Sequence, residues 1–150
     1  MKKIILLLLS IAGLLLLGAF SPQGSEIAVI VNKENPVATL SAGEAKLYWL
    51  RKIKKRWPEI NKNIKPVDRK AKSPEQETFY AKVLNMSATD VEAYFTQKQY
   101  ESAEKPQDKF ANDEAIIGFV SEEQGAIGFV NSNSLTGDNK NKVKVVLTIQ

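Results

Sequence analysis

The sequence contains no cysteine and no histidine among its 150 residues. The lack of cysteine excludes disulfide bonds and cysteine nucleophiles, and the lack of both residue types excludes Cys/His zinc sites. Without histidine there is no Ser-His-Asp triad, and the side chain that moves protons most readily near neutral pH is missing. An acid–base or metal site built from carboxylates remains possible.

A strong charge of either sign is also lacking. The formal net charge is +4, from 21 basic and 17 acidic residues. With Lys2 and Lys3 of the N-terminal leader set aside, 19 basic and 17 acidic residues remain. So small an excess does not indicate a nucleic-acid partner. The hydrophobic content of 43%, with 8 Gly and 6 Pro, is typical of a globular chain.

The longest apolar run lies at the N-terminus, where Lys2 and Lys3 precede the hydrophobic stretch 4–17 and small residues follow at Gly18 and Ala19. This layout predicts a cleaved signal peptide over residues 1–20 and a periplasmic or secreted protein. An uncleaved N-terminal membrane anchor is the alternative, because the longer run 4–20, about 17 residues, could just span a bilayer. Phe20 stands where a lipoprotein would carry its cysteine, which excludes lipidation by that route.

Residues 26–150 are predicted to form one domain of alternating strands and helices. Helix starts are indicated by capping residues, most clearly by Ser41 with Glu44 three residues on and by Ser73 followed by Pro74. The predicted order is β, α, β, α, α, α, β, β, which favours an α/β fold with a mostly parallel central sheet flanked by helices. The strands are expected at 27–31, 64–67, 126–130 and 143–149, and the helices are expected to begin near Ser41, Ser73, Ser87 and Asn112.

Five motifs in order resemble the phosphate-type periplasmic substrate-binding proteins of ABC transporters, over nearly all of residues 26–130. The first is a strand ending in an Asn-Pro turn at 27–36, and the second is a Leu-Ser helix start at 40–41. The third is a Leu-Tyr-Trp-Leu helix at 47–50 that leads to Trp-Pro at 57–58. The fourth is a Pro-Val-Asp-Arg strand end at 66–69, followed by Ser73 and Phe79, and the fifth is a Gly-Ala-Ile-Gly-Phe-Val strand at 125–130.

The resemblance implies a single lobe of the type II periplasmic-binding-protein-like fold, because full-length members hold their ligand between two lobes. It implies an exported, non-catalytic solute-binding-like domain with weak binding of a small oxyanion such as phosphate. An ABC permease or another envelope protein is the implied partner, and no cofactor or nucleic acid is expected. The oligomeric state stays open, and a homodimer could supply the second surface.

The loop before the helix at Ser73 is the candidate anion site. A helix N-terminus offers free N–H groups and a positive partial charge. The Ser73 hydroxyl and the cationic side chains of Arg69, Lys70 and Lys72 could add further donors. The competing interpretation is that Ser73 is only a helix cap and that the lysines are solvated.

A basic cluster near the end of the first helix is the candidate partner patch, made up of Arg51, Lys52, Lys54, Lys55 and Arg56. Such a cluster could dock an acidic partner or an anionic surface, or it could be a solvated helix end. It supports an alternative function, an envelope protein-interaction module that kept the lobe fold but lost its ligand. The triplet 74–76, Pro-Glu-Gln, favours that alternative, because phosphate-binding members carry Gly-Thr and a basic residue there.

An enzyme is not expected. Adjacent carboxylates such as Asp113 and Glu114 point about 100° apart on a helix and do not converge on one substrate. No Gly-rich phosphate loop, dinucleotide fingerprint or His-Glu-x-x-His pattern occurs in the sequence. We therefore predict no catalytic residues and no metal site.

Overall fold

The computed structural model describes residues 26–52 and 55–150, and a five-stranded sheet lies at its centre. The strands are β1 Ile27–Asn32, β2 Arg56–Trp57, β3 Lys62–Asn63, β4 Lys65–Arg69, β5 Asp108–Phe110, β6 Ala126–Asn131 and β7 Val143–Ile149. The helices are α1 Ala42–Trp49, α2 Pro74–Phe79, α3 Ala88–Ser102, α4 Asp113–Glu122 and α5 Asn139–Lys142. A π-helical turn, Tyr80–Leu84, continues α2, and a 3-10 turn, Ser132–Ser134, follows β6.

The main sheet has the strand order β5-β4-β6-β1-β7, and β2 pairs with β3 in a separate hairpin. Strand β4 is parallel to both β5 and β6, whereas β1 is antiparallel to both β6 and β7. Four of the five strands therefore run in one direction. The predicted α/β fold with a mostly parallel sheet is confirmed, with β1 as the reversed strand.

Strand β1 is buried on both faces of the sheet. Ile27, Val29 and Val31 belong to the core cluster that contains residues of α1, α2 and α3, while Ala28 and Ile30 pack on the other face with α4. A strand covered by helices on both sides needs a continuous apolar sequence rather than an alternating one. This is why the β-branched run at 27–31 predicts β1 correctly.

Aromatic side chains fill the layer between the sheet and helices α1 to α3. The Trp49 ring meets Phe79 edge-on at 5.3 Å and Phe95 edge-on at 5.4 Å, and Phe79 stacks on Phe129 at 4.2 Å. Trp57 is fully buried, and its indole N–H donates to the Gly125 carbonyl at 2.9 Å. Trp49, Trp57 and Phe95 are all buried in this layer.

The predicted helix starts are confirmed by their caps. Ser41 forms a full capping box with Glu44 at the start of α1. The Ser73, Ser87 and Asn112 side chains each accept a backbone N–H three residues on, at distances of 3.2, 3.1 and 2.9 Å. These bonds satisfy donors that a helix start otherwise leaves free. They fix where α2 and α4 begin, which matters for the site described below.

One core prediction on α3 is wrong. The spacing of Tyr94, Phe95 and Tyr100 in the sequence predicts that all three rings pack in the core, but Tyr100 is 92% exposed. Tyr100 lies five residues beyond Phe95, and five residues turn a helix about 140° away from the starting face. The buried stripe of α3 is instead Val91 and Phe95, with Tyr94 partly buried.

The predicted signal peptide, residues 1–20, lies outside the described residues. Within 26–52 and 55–150 no helix combines the length and the apolarity that crossing a bilayer requires. The assignment of residues 26–150 to one domain stays a prediction.

Candidate functional site

The carboxyl ends of the three neighbouring parallel strands meet at one edge of the sheet. Arg69 ends β4, Phe110 ends β5 and Asn131 ends β6. Helix α2 begins shortly after β4, and α4 begins shortly after β5, so both helix starts lie beside this edge. In α/β sheets ligands bind outside the carboxyl ends of the strands. The candidate anion site of the sequence analysis therefore lies where this topology favours a ligand.

Arg69 is the buried cation of this edge, with 8% of its surface exposed. Its guanidinium forms an ion pair with the Asp113 carboxylate through Nη2 and Oδ1. The second oxygen of Asp113 accepts the Asn131 backbone N–H at 3.0 Å and the Ser134 hydroxyl at 2.6 Å. The buried Nε of Arg69 has no hydrogen-bond partner among the described residues. An arginine is always charged and has five N–H donors, so part of its donor capacity is unused.

Burial lowers the pKa of Arg69, and the nearby Glu75 and Asp68 carboxylates offset part of that shift. A guanidinium stays protonated despite such a shift, because its ordinary pKa is far above neutral pH. Arg69 thus keeps its positive charge in a partly dehydrated setting, where it is paired with the Asp113 carboxylate. Charge-assisted hydrogen bonds are strongest there.

The start of α2 has an acidic side chain beside Arg69. Glu75 is half-buried, and its Oε1 accepts the Asn131 side-chain amide at 3.4 Å. Burial acts to raise the pKa of Glu75, but its own backbone N–H, Asn131, Arg69 and Ser73 outweigh burial and hold the pKa below its usual value. Glu75 is therefore a stabilised carboxylate within the site.

The two lysines of the predicted site point to solvent. Lys70 and Lys72 are both exposed, and Lys72 pairs with Glu77 at 3.1 Å. Ser73 is half-buried and caps α2. The structure therefore places Arg69 and Ser73 at the carboxyl edge of the sheet, whereas Lys70 and Lys72 lie on the exposed surface beside it. Binding of an anion by these four residues stays a prediction.

A network of buried polar side chains surrounds Asp68, next to Arg69 of the candidate site. This network was not identified from the sequence. Asp68 is fully buried and accepts hydrogen bonds from the Tyr80 hydroxyl, from Gln76 Nε2 at 3.0 Å and from Gln107 Nε2 at 3.4 Å. It also accepts the Arg69 backbone N–H at 2.7 Å. A usable sequence signal existed, because Gln76 and Tyr80 are four residues apart and therefore share one helix face.

The candidate partner patch is largely engaged within the chain. Arg51 and Lys55 both pair with Glu104, at 3.8 and 2.7 Å, and Lys52 lies over the Tyr94 ring at 5.8 Å. Arg56 donates to the Asn63 and Asn61 side chains at 3.0 and 3.2 Å. Lys54 lies outside the described residues. A docking role for this patch stays a prediction.

Two grooves lie away from the carboxyl edge. One of about 830 Å³ lies at the opposite edge of the sheet, where Lys65 pairs with Glu123 at 2.5 Å. Another of about 470 Å³ is bordered by Arg51, Glu104 and Phe119. Among the described residues no group of three or more acidic side chains is arranged to hold a metal ion.

Solved structures share this fold, whereas no family profile and no curated protein matches the sequence. A protein from Clostridium perfringens described as a phosphate ABC transporter substrate-binding protein, solved with bound phosphate, matches with a TM-score of 0.57 and 22% identity over 81% of this chain. An ABC-type phosphate transport receptor from Vibrio cholerae matches with a TM-score of 0.59 and 18% identity over 80% of this chain. A protein from Planctomyces limnophilus described as phosphate-binding matches with a TM-score of 0.56 and 17% identity over 83% of this chain.

The described chain thus has the fold of part of a phosphate-type, periplasmic-binding-protein-like structure. It spans 45%, 44% and 42% of the length of the three solved chains. The resemblance predicted from the ordered motifs is confirmed at the level of the fold.

Proposed function

We propose that this protein is an exported, non-catalytic binding domain that takes a small oxyanion of the phosphate type at the carboxyl edge of its sheet. The observation that carries the proposal is Arg69, a buried guanidinium at the end of a parallel strand with an unpartnered Nε among the described residues. Its neighbours supply hydroxyl and amide donors through Ser73 and Asn131. Such donor sets suit oxyanions.

The absence of histidine and cysteine supports a non-catalytic role, since the most frequent general base and the most reactive nucleophile of enzymes are missing. Export is supported by the N-terminal leader alone. A permease of an ABC transporter is the proposed partner, because two of the proteins that share the fold are described as parts of phosphate transport systems.

The proposal is tested by following backbone amide resonances during titration with phosphate and, separately, sulfate. Saturable shifts are expected at Arg69, Ser73 and Asn131, because these residues border the site. Shifts confined to Lys52 and Lys55 would instead locate anion binding on the candidate partner patch. No saturable shift anywhere would refute oxyanion binding.

Calorimetry on two arginine variants gives a second test. Arg69→Gln removes the buried charge and is expected to abolish phosphate binding. Arg56→Gln is the matched control, since Arg56 is exposed and its guanidinium donates to the side-chain amides of Asn63 and Asn61. Equal phosphate affinity in both variants would contradict the assignment of Arg69. The resonance titration uses the unaltered chain, so it remains decisive if Arg69→Gln fails to fold.

A further inference from the structure

The Glu75 carboxylate lies where the donors of the proposed anion site converge. Its Oε1 accepts the Asn131 side-chain amide at 3.4 Å. Asn131 is fixed in turn, because its backbone N–H donates to Asp113 and its Oδ1 accepts the Asn133 backbone N–H at 2.9 Å. Arg69 and Glu75 carry opposite charges, and each charge moves the pKa of the other in the direction that favours its ionised form.

The groups that act on the Glu75 carboxylate are its own backbone N–H at the helix start, the Ser73 hydroxyl, the Asn131 side-chain amide and the Arg69 guanidinium. Groups of these four kinds also recognise a free oxyanion. Glu75 is the second residue of α2, where a negative charge also interacts favourably with the helix dipole. The carboxylate thus resembles a bound anion in both charge and hydrogen-bond demand. The lowered pKa of Glu75 agrees with this arrangement, because the same donors stabilise its charged form.

We propose that Glu75 is the residue that sets the affinity and charge selectivity of this site, because its carboxylate is a built-in occupant that a free oxyanion must displace. This inference rests on the proposed oxyanion site at Arg69. Displacement costs the hydrogen bonds of Glu75 and leaves its negative charge beside the incoming anion. A doubly charged oxyanion is therefore repelled more strongly than a singly charged one.

The test compares phosphate and sulfate affinities of the full chain in two alanine variants. Glu75→Ala removes the occupant. Glu114→Ala is the matched control, because Glu114 is the exposed second residue of α4, beside the same sheet edge. Both variants lose one carboxylate at the second position of a helix, so a general charge effect would appear in both.

We expect Glu75→Ala to bind phosphate about 10- to 100-fold more tightly than the unaltered protein, from the usual strength of hydrogen bonds to charged groups. Glu114→Ala should change the affinity by about twofold or less, since exposed charges are screened by solvent and salt. The gain in Glu75→Ala should be larger for sulfate at neutral pH than for a singly charged oxyanion such as nitrate.

The outcomes separate this inference from the proposed function. Binding by the unaltered protein with equal affinities in Glu75→Ala and Glu114→Ala would overturn the inference and leave the oxyanion function standing. Binding that appears only in Glu75→Ala would support the inference and refute oxyanion binding as a property of the natural sequence. No binding by any of the three proteins would overturn both.

Discussion

Asp68 is the buried acidic side chain on which the loop before α2 depends. Its carboxylate has no exposed surface and receives donors from two separate segments, at Gln76 and Tyr80 on one continuous helix and at Gln107 before β5. A buried carboxylate is tolerated only when such partners replace water. Burial, followed by the charge and hydrogen bond of Asp68, raises the pKa of Tyr80, so the hydroxyl stays protonated and donating.

Removing the Tyr80 hydroxyl should therefore be costly. We expect Tyr80→Phe to lower the free energy of unfolding by about 1.5–3 kcal/mol, the usual range for a hydrogen bond to a charged group. The measurement is urea unfolding at neutral pH, followed by circular dichroism.

Tyr94→Phe is the control for this prediction, because the Tyr94 hydroxyl donates to the neutral Leu50 carbonyl at 2.6 Å. Its loss should cost about 0.5–1.5 kcal/mol, as for neutral pairs. Equal losses in the two variants would mean that the charge on Asp68 does not strengthen the Tyr80 bond.

At the scale of the elements, the ends of α1 and α3 are tied together by one carboxylate. Each helix is followed by a left-handed residue, Arg51 after α1 and Ala103 after α3, both with φ 51°. These residues turn the chain so that Glu104 pairs with Lys55 at 2.7 Å and Arg51 at 3.8 Å. Arg51 also donates to the Lys105 carbonyl at 2.6 Å.

This contact makes stability depend on pH. The Lys55 hydrogen bond, with the charges of Lys55, Arg51 and Lys98, outweighs burial and lowers the pKa of Glu104. A carboxylate with a lowered pKa in the folded state stabilises the fold above its unfolded pKa. That contribution is lost as the pH falls through the folded value. We expect the free energy of unfolding to decrease as the pH falls from the ordinary glutamate pKa of 4.5 through the lowered pKa of Glu104, with a smaller decrease in Glu104→Gln. Parallel pH curves for the two proteins would contradict the role of Glu104.

The elements that sequence predicts well are those with strong local signals. The helices at Ser41, Ser73 and Asn112 have side-chain caps, and β1 has a continuous apolar run that is rich in β-branched residues. Strand β5 was not predicted, because its three residues, Asp108–Phe110, show no apolar periodicity. They form a strand only because they pair with β4. The hairpin formed by β2 and β3 was not predicted either, because strands of two residues are too short to show an apolar pattern.

The candidate site was only partly predictable for a related reason. Local sequence pointed to Arg69 and Ser73 because they flank a capped helix. Asp113 and Asn131 come from distant parts of the chain, and only the parallel order of β4 to β6 brings them together with Arg69. Contacts between residues so far apart in the sequence produce no regular spacing from which the site could be predicted.

At the scale of the whole molecule, the site lies on an open edge. Lys70 and Lys72 are exposed beside it, and the described chain spans less than half of each solved chain that it matches. Ligands are held tightly when a pocket buries most of their surface. An oxyanion on one open edge keeps part of its hydration, so we expect weak affinity unless a second surface covers it.

Two core layers share the central sheet, and this arrangement allows a test of cooperativity. Both tryptophans, Trp49 and Trp57, lie in the layer with α1 to α3, whereas Ile117 is fully buried in the opposite layer with α4. Strand β1 contributes side chains to both layers. Loss of packing on the α4 side should therefore destabilise the tryptophan side as well.

We expect Ile117→Ala to lower the free energy of unfolding by about 2–5 kcal/mol, the usual cost of truncating a buried isoleucine. Tryptophan fluorescence and far-ultraviolet circular dichroism should report the same shift in the urea midpoint. Val145→Ala is the control, because Val145 is 42% exposed on β7 and should move the midpoint little. A fluorescence midpoint that stays in place while the dichroism midpoint falls would mean that the two layers unfold separately. Residues 26–150 would then not behave as the single domain that the sequence predicts.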